Sequence, residues 1–125
     1  MKALLGVSSA IGLLVATATV ASAASPNGTW LRPNGGAHIQ VFNCSGGLGM
    51  KIVKPAAKRP GTRGKTIMCG AKKSGANKWR GSILSTEDGQ TYTGIVTLTG
   101  GSSLKLEGCV LGGIICKAEN WRRLK

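Results

Sequence analysis

The chain predicts an all-β protein, a small eight-stranded antiparallel up-and-down barrel with no long helix beyond residue 23. Three observations point there. Short runs of period-two alternation recur from Gly28 onward, each stopped by Gly, Pro, Asn or Asp. Of 20 glycines only Gly6 and Gly12 precede residue 24, and the glycine density of the remainder does not suit a helix bundle. The five aromatics, Trp30, Phe42, Trp79, Tyr92 and Trp121, all lie inside the alternating runs.

Taken in order, Gly28-Thr29-Trp30-Leu31-Arg32 is a first short strand, stopped by Pro33-Asn34-Gly35-Gly36. Residues 37–44, β-branched and aromatic, form a second, and Ser45-Gly46-Gly47 turns the chain. In the third, Leu48, Met50 and Ile52 share one face and Lys51 the other. Residues 54–64 hold two prolines, two glycines and four cations and read as a loop. A weak fourth strand covers 65–70, and 71–77 reads as a second loop. Trp79, Gly81 and Ile83 share a face of the fifth. Glu87-Asp88-Gly89-Gln90 is a hairpin turn by its Asp-Gly signal.

In the sixth strand Tyr92, Gly94, Val96 and Leu98 alternate with Thr93, Ile95 and Thr97. The seventh, 103–110, places Leu104, Leu106, Gly108 and Val110 inward and Lys105 and Glu107 outward. Residues 114–122 complete the series after Gly112-Gly113. Eight such strands close into a barrel, which removes exposed edges. A two-sheet sandwich is the alternative. Glycine at inward positions 81, 94 and 108 implies strong strand curvature and favours the barrel.

Residues 1–23 read as a cleaved export signal, leaving 24–125 as one barrel domain. Met1-Lys2 is positive, Ala3 to Val20 is apolar or small, and Ala21-Ser22-Ala23 is an A-x-A cleavage pattern. The strongly apolar part is too short for a bilayer span, and no second apolar run follows, so no transmembrane span remains once the signal is removed. The protein is expected in the periplasm or outside the cell, as a monomer. Export reaches an oxidising space, so Cys44, Cys69, Cys109 and Cys116 read as two disulfides. Four cysteines allow three pairings, and sequence does not choose among them. Cys109–Cys116, closing a short loop about Gly112-Gly113, is favoured, and with it Cys44–Cys69. On the chain-entropy model they stabilise by about 2–3 and 3–4 kcal/mol. No C-x-x-C pair exists and the single histidine, His38, is far from any cysteine in sequence, so no metal site is expected.

The net charge is +13, or +12 once Lys2 leaves with the signal. Lys51, Lys54, Lys58, Arg59, Arg63, Lys65, Lys72, Lys73, Lys78 and Arg80 place ten positive charges in residues 51–80 with no acid among them. Such a face fits anionic envelope polymer or lipid head groups, while export argues against nucleic acid. The plainer reading is a solvated, soluble surface.

The motif Gly28-x-Trp30, followed by a meander ending in arginine, resembles the calycin superfamily of lipocalins and avidins. That resemblance implies a tryptophan at the barrel floor with an arginine packed across it, which Trp30 with Arg122 or Arg123 matches. A closer resemblance covers nearly all of 28–123, to the exported bacterial family called domain of unknown function 2147. Its motifs here are Gly28-Thr29-Trp30, Cys44 with Leu48 and Lys51-Ile52-Val53, and Trp79-Arg80-Gly81-Ser82-Ile83. Asp88-Gly89-Gln90-Thr91-Tyr92-Thr93-Gly94, Leu104-Lys105-Leu106-Glu107-Gly108-Cys109 and Trp121-Arg122-Arg123 follow in order. Many members carry Cys-Gly where Gly49-Met50 stands and Asp-Pro where Ser85-Thr86 stands. The first departure favours a longer-range partner for Cys44, such as Cys69. The resemblance implies a lipocalin-like fold and no activity.

Catalytic groups are scarce. Glu87 and Asp88 sit in a turn, Glu107 alternates outward, and Glu119 reads as a surface partner of Lys117 or Arg122. His38 beside a glycine turn reads as a surface histidine. No G-x-S-x-G turn or phosphate loop is present, so no enzyme and no cofactor are expected. A barrel holding a small apolar or anionic molecule is the favoured function. Trp30, Trp79, Tyr92 and Trp121 are the candidate lining, with Arg80 or Arg123 for an anionic head. The plainer reading is that these aromatics fill the core. The alternative is an envelope protein that binds polymer or head groups through residues 51–80.

Overall fold

Each alternating run becomes one antiparallel strand. The computed structural model describes residues 24–125, and the export signal expected over 1–23 lies outside them. The strands are β1 Gly28–Leu31, β2 His38–Cys44, β3 Gly47–Lys54, β4 Thr66–Gly75, β5 Lys78–Leu84, β6 Thr91–Leu98, β7 Ser103–Val110 and β8 Ile115–Arg123. Each pairs with the next, and β8 returns to β1 through Trp30↔Arg123 and Leu31↔Arg122. The result is the predicted closed up-and-down barrel, not a sandwich. Short 3₁₀ turns at Pro60–Thr62 and Leu111–Gly113 are the helical pieces among the described residues.

The weak fourth strand was expected to stop at residue 70, with a loop over 71–77. Instead β4 runs on to Gly75 and pairs Lys72 with Arg80 and Lys73 with Trp79. Gly70, at φ 82°, bulges the strand, so the buried inward position passes from Met68 to Ala71. The polar run that follows hid the strand, because its side chains are exposed and lack an alternating apolar face.

One end of the barrel is closed. Trp30 and Trp121 are fully buried there with Leu48, Leu98 and Leu104. Trp30 Nε1 donates to the carbonyl of Pro26 at 2.9 Å. The guanidinium of Arg123 lies 4.4 Å from the Trp30 ring centroid and donates to the carbonyls of Ser25, Asn27 and Gly101. Arg123, rather than Arg122, is therefore the arginine packed across the floor. Ile39, Ile52, Met68 and Ile83 continue the core toward the other end.

The two disulfides are Cys44–Cys69 and Cys109–Cys116. Cys109 and Cys116 are directly opposed across the β7–β8 hairpin. Cys44–Cys69 joins β2 to β4 and so crosses β3. It passes over Gly49, where a Cβ would collide with that of Cys44 and crowd the Phe42 ring. The bridge needs the room that a glycine leaves at position 49. Removing it with Cys44→Ala and Cys69→Ala should cost about 3 kcal/mol in urea unfolding, since it closes a loop of 25 residues. Gly49→Val should be destabilising by about 1–3 kcal/mol through overpacking against the bridge.

Candidate functional site at the open mouth of the barrel

The inward face of β7 and β8 runs past the filled core. Leu104 and Leu106 are buried, but Val110, two positions beyond Gly108 on the same side, is 42% exposed. Val110 was expected inside; it keeps the inward side but stands above the core. Its partner Ile115 is 56% exposed, and Lys117, opposite Gly108, is also exposed. Gly81, Gly94 and Gly108 lie in one cross-strand row. Ala71 fills the space beside Gly81, and Met68 and Ile83 fill that beside Gly94. Beside Gly108 nothing lies within 4 Å of where a Cβ would stand. The mouth therefore opens on the β7–β8 side, with Val110, Gly108, Ile115 and Lys117 as its wall.

The base of this wall is an ion-pair cluster. Glu119 was expected on the surface, yet it shares the inward side of β8 with Trp121 and is paired with Leu106. Its Oε1 accepts from Trp121 Nε1 at 2.7 Å and from Arg32 Nε at 2.6 Å, and its Oε2 accepts from Arg32 Nη2 at 3.2 Å. Glu87, from the β5–β6 turn, reaches Arg32 Nη2 at 3.1 Å. Burial opposes the charge on Arg32, but the hydrogen bond and field of Glu119, joined by Glu87, outweigh it and raise its pKa. One guanidinium thus holds both carboxylates in place, and the three groups together keep one negative charge.

Beside this cluster the Tyr92 hydroxyl donates to Asp88. That bond first, and then the Gln90 backbone N–H, lower the Asp88 pKa; accepting from Tyr92 raises the tyrosine in turn. Among the described residues, no group of three His, Cys, Asp or Glu is placed to hold a metal.

The expected ligand residues do not converge. Trp30, Trp121 and Arg123 meet at the closed floor. Trp79 is half-buried near the closed end, with Lys73 Nζ 5.6 Å from its ring centroid. Arg80 points to the outer side and donates to the Gly112 carbonyl at 3.0 Å. Tyr92 alone borders the mouth. Of the basic residues, Lys54, Lys58, Arg59, Arg63 and Lys65 lie at the end of β3 and in the β3–β4 connection, while Lys72, Lys73 and Lys78 lie on β4 and β5. Lys51 is on β3, its Nζ 5.7 Å from the Phe42 ring centroid. Arg32, Glu119 and Lys117 were missed as mouth residues, although counting back in twos from Trp121 reaches Glu119 and Lys117.

The closed eight-stranded barrel with a tryptophan–arginine floor is lipocalin-like. It is similar to a solved Helicobacter pylori structure described as "Protein HP1028 from the human pathogen Helicobacter pylori belongs to the lipocalin family". The TM-score is 0.68 at 15% identity, covering 82% of this chain and 85% of that one. The model of the family "Uncharacterized protein conserved in bacteria (DUF2147)" matches residues 28–123, and the chain belongs to that family. No curated protein matches it.

Replacing Arg32 with alanine should cost about 1–3 kcal/mol in denaturant unfolding, since Glu119 would keep its half-buried place without its partner. Tyr92→Phe should raise the Asp88 pKa toward the ordinary carboxylate value, read by NMR titration of the side-chain carboxyl. The Asp88–Tyr92 link should favour the fold between the ordinary Asp and Tyr ranges. It should weaken as pH falls through the lowered Asp88 value or rises through the raised Tyr92 value.

Proposed function

We propose that the chain is an exported, non-catalytic binding protein whose open mouth takes up a small amphipathic molecule with an anionic head. The observation that carries this reading is the unfilled inward side at Gly108, flanked by Val110, Ile115 and Lys117. Val110 and Ile115 offer apolar wall, and Lys117 offers a cation. Arg32 is already matched by Glu87 and Glu119, which leaves Lys117 to meet the head group. Tyr92 borders the mouth, and Trp30, Trp121 and Arg123 serve from below by keeping the floor shut. Barrels of this size hold at most one small ligand, and lipocalins use them that way. Two disulfides suit an oxidising exported compartment, and no described helix is long and apolar enough to cross a membrane.

Native mass spectrometry of protein taken undenatured from its exporting cell tests this. A discrete added mass that leaves on denaturation is expected, and it should be absent from Gly108→Phe, whose ring fills the space. In parallel, the fluorescent anion anilinonaphthalene sulfonate should bind the emptied mouth, and Lys117→Glu should weaken that binding by about tenfold, equivalent to ~1.4 kcal/mol. A bare mass together with probe binding indifferent to both substitutions would remove the mouth as the site.

A further inference from the structure

The β7–β8 turn is the most apolar exposed feature of the described surface. Leu111 is 68% exposed and Ile114 81%, beyond Val110 and Ile115 on the mouth wall. Large aliphatics gathered at a tip mark a surface that works by contact. The tip is also held in shape. Cys109–Cys116 braces its base, and Arg80 reaches from β5 to the Gly112 carbonyl. A contact that covered these side chains would therefore order little new backbone.

The alternating topology divides the connections between two ends. Those of β2–β3, β4–β5 and β6–β7 hold no charged residue. The β7–β8 tip shares its end with the β3–β4 connection, which carries Lys58, Arg59, Arg63 and Lys65, all exposed. The acids at this end are engaged: Glu87 with Arg32, and Asp88 with Tyr92. Apolar tip and unmatched positive charge thus belong to the same end of the barrel. The tip is aliphatic with no aromatic, and its rim carries two lysines and two arginines. Protein interfaces favour aromatic anchors, which the tip lacks. A free polyanion would use the cations and have no use for the aliphatics. An interfacial anchor uses both together.

We propose that this end of the barrel docks on an anionic lipid surface. Leu111 and Ile114 enter the boundary between head groups and acyl chains, while Lys58, Arg59, Arg63 and Lys65 meet the anionic head groups. The proposal stands apart from the small-ligand reading, since neither tip residue lines the mouth.

The test is co-sedimentation of the mature chain with vesicles. Phosphatidylcholine mixed with an equal part of phosphatidylglycerol should bind it, and phosphatidylcholine alone should not. Added salt should weaken binding, because the head-group attraction is screened. The pair Leu111→Ser and Ile114→Ser should lose about tenfold or more, as two aliphatics leave the interface. Near-ultraviolet circular dichroism and a count of both disulfides check that this variant folds. Ile114→Trp supplies a second readout: its emission should shift to the blue on mixed vesicles and be quenched by brominated lipid. Equal binding by wild type and the serine pair, no binding at all, or an Ile114→Trp signal indifferent to lipid would overturn the proposal. So would self-association that needs the tip while vesicles are ignored, which would make a second copy the occupant.

Discussion

Everything in this fold rests on closing the barrel through its shortest strand. β1 has four residues, and only two of its pairs reach β8. Without them, β1 and β8 would both be open edges and the floor would be lost. The ladder is extended beyond the Trp30–Arg123 pair toward the chain end. Thr29 N–H donates to the Lys125 carbonyl at 2.7 Å, and Leu124 N–H donates to the Thr29 carbonyl at 2.7 Å. Arg123 then ties the segment before β1, the β6–β7 turn and the Trp30 ring to one guanidinium. A planar group with five donors suits that task, where a lysine would supply one charged point.

The filled floor decides where the protein can meet anything small. A barrel of eight strands has an interior about as wide as its own side chains, and two tryptophans occupy the closed half. Ala71 and Met68 use the room left by Gly81 and Gly94. Only the longer β7–β8 hairpin outruns the core, so the one unfilled glycine in that row lies there. The mouth is a consequence of unequal strand reach, and its charges follow from it: Arg32 and Glu119 stand where the core ends, too deep to be unpaired and too high to be apolar.

Much of this was legible in the alternation. The strand count, the turn positions and the inward set Leu104, Leu106, Val96 and Leu98 follow from period two and glycine punctuation. The second half of β4 was not legible, because Lys72, Lys73 and Ser74 lack an apolar face and Gly70 breaks the period by one residue. Glu119 was misplaced for the opposite reason. Lys117 and Arg122 lie near it in sequence, while its partners in space are Trp121 and Arg32, and only the register reveals them. The six expected ligand residues were chosen by chemistry rather than by height along the barrel. Height separates Trp30 at the floor from Tyr92 at the rim, and strand face places Arg80 outside.

The Cys44–Cys69 bridge also has a bearing on timing. It links the outer strands of a three-strand unit, with β3 lying between them. Once formed, the bond holds β2 and β4 on either side of β3. In a reducing space the chain would lack both this lock and the one on the last hairpin, several kcal/mol together. The same chain is therefore loose while its cysteines are reduced and firm once they are oxidised.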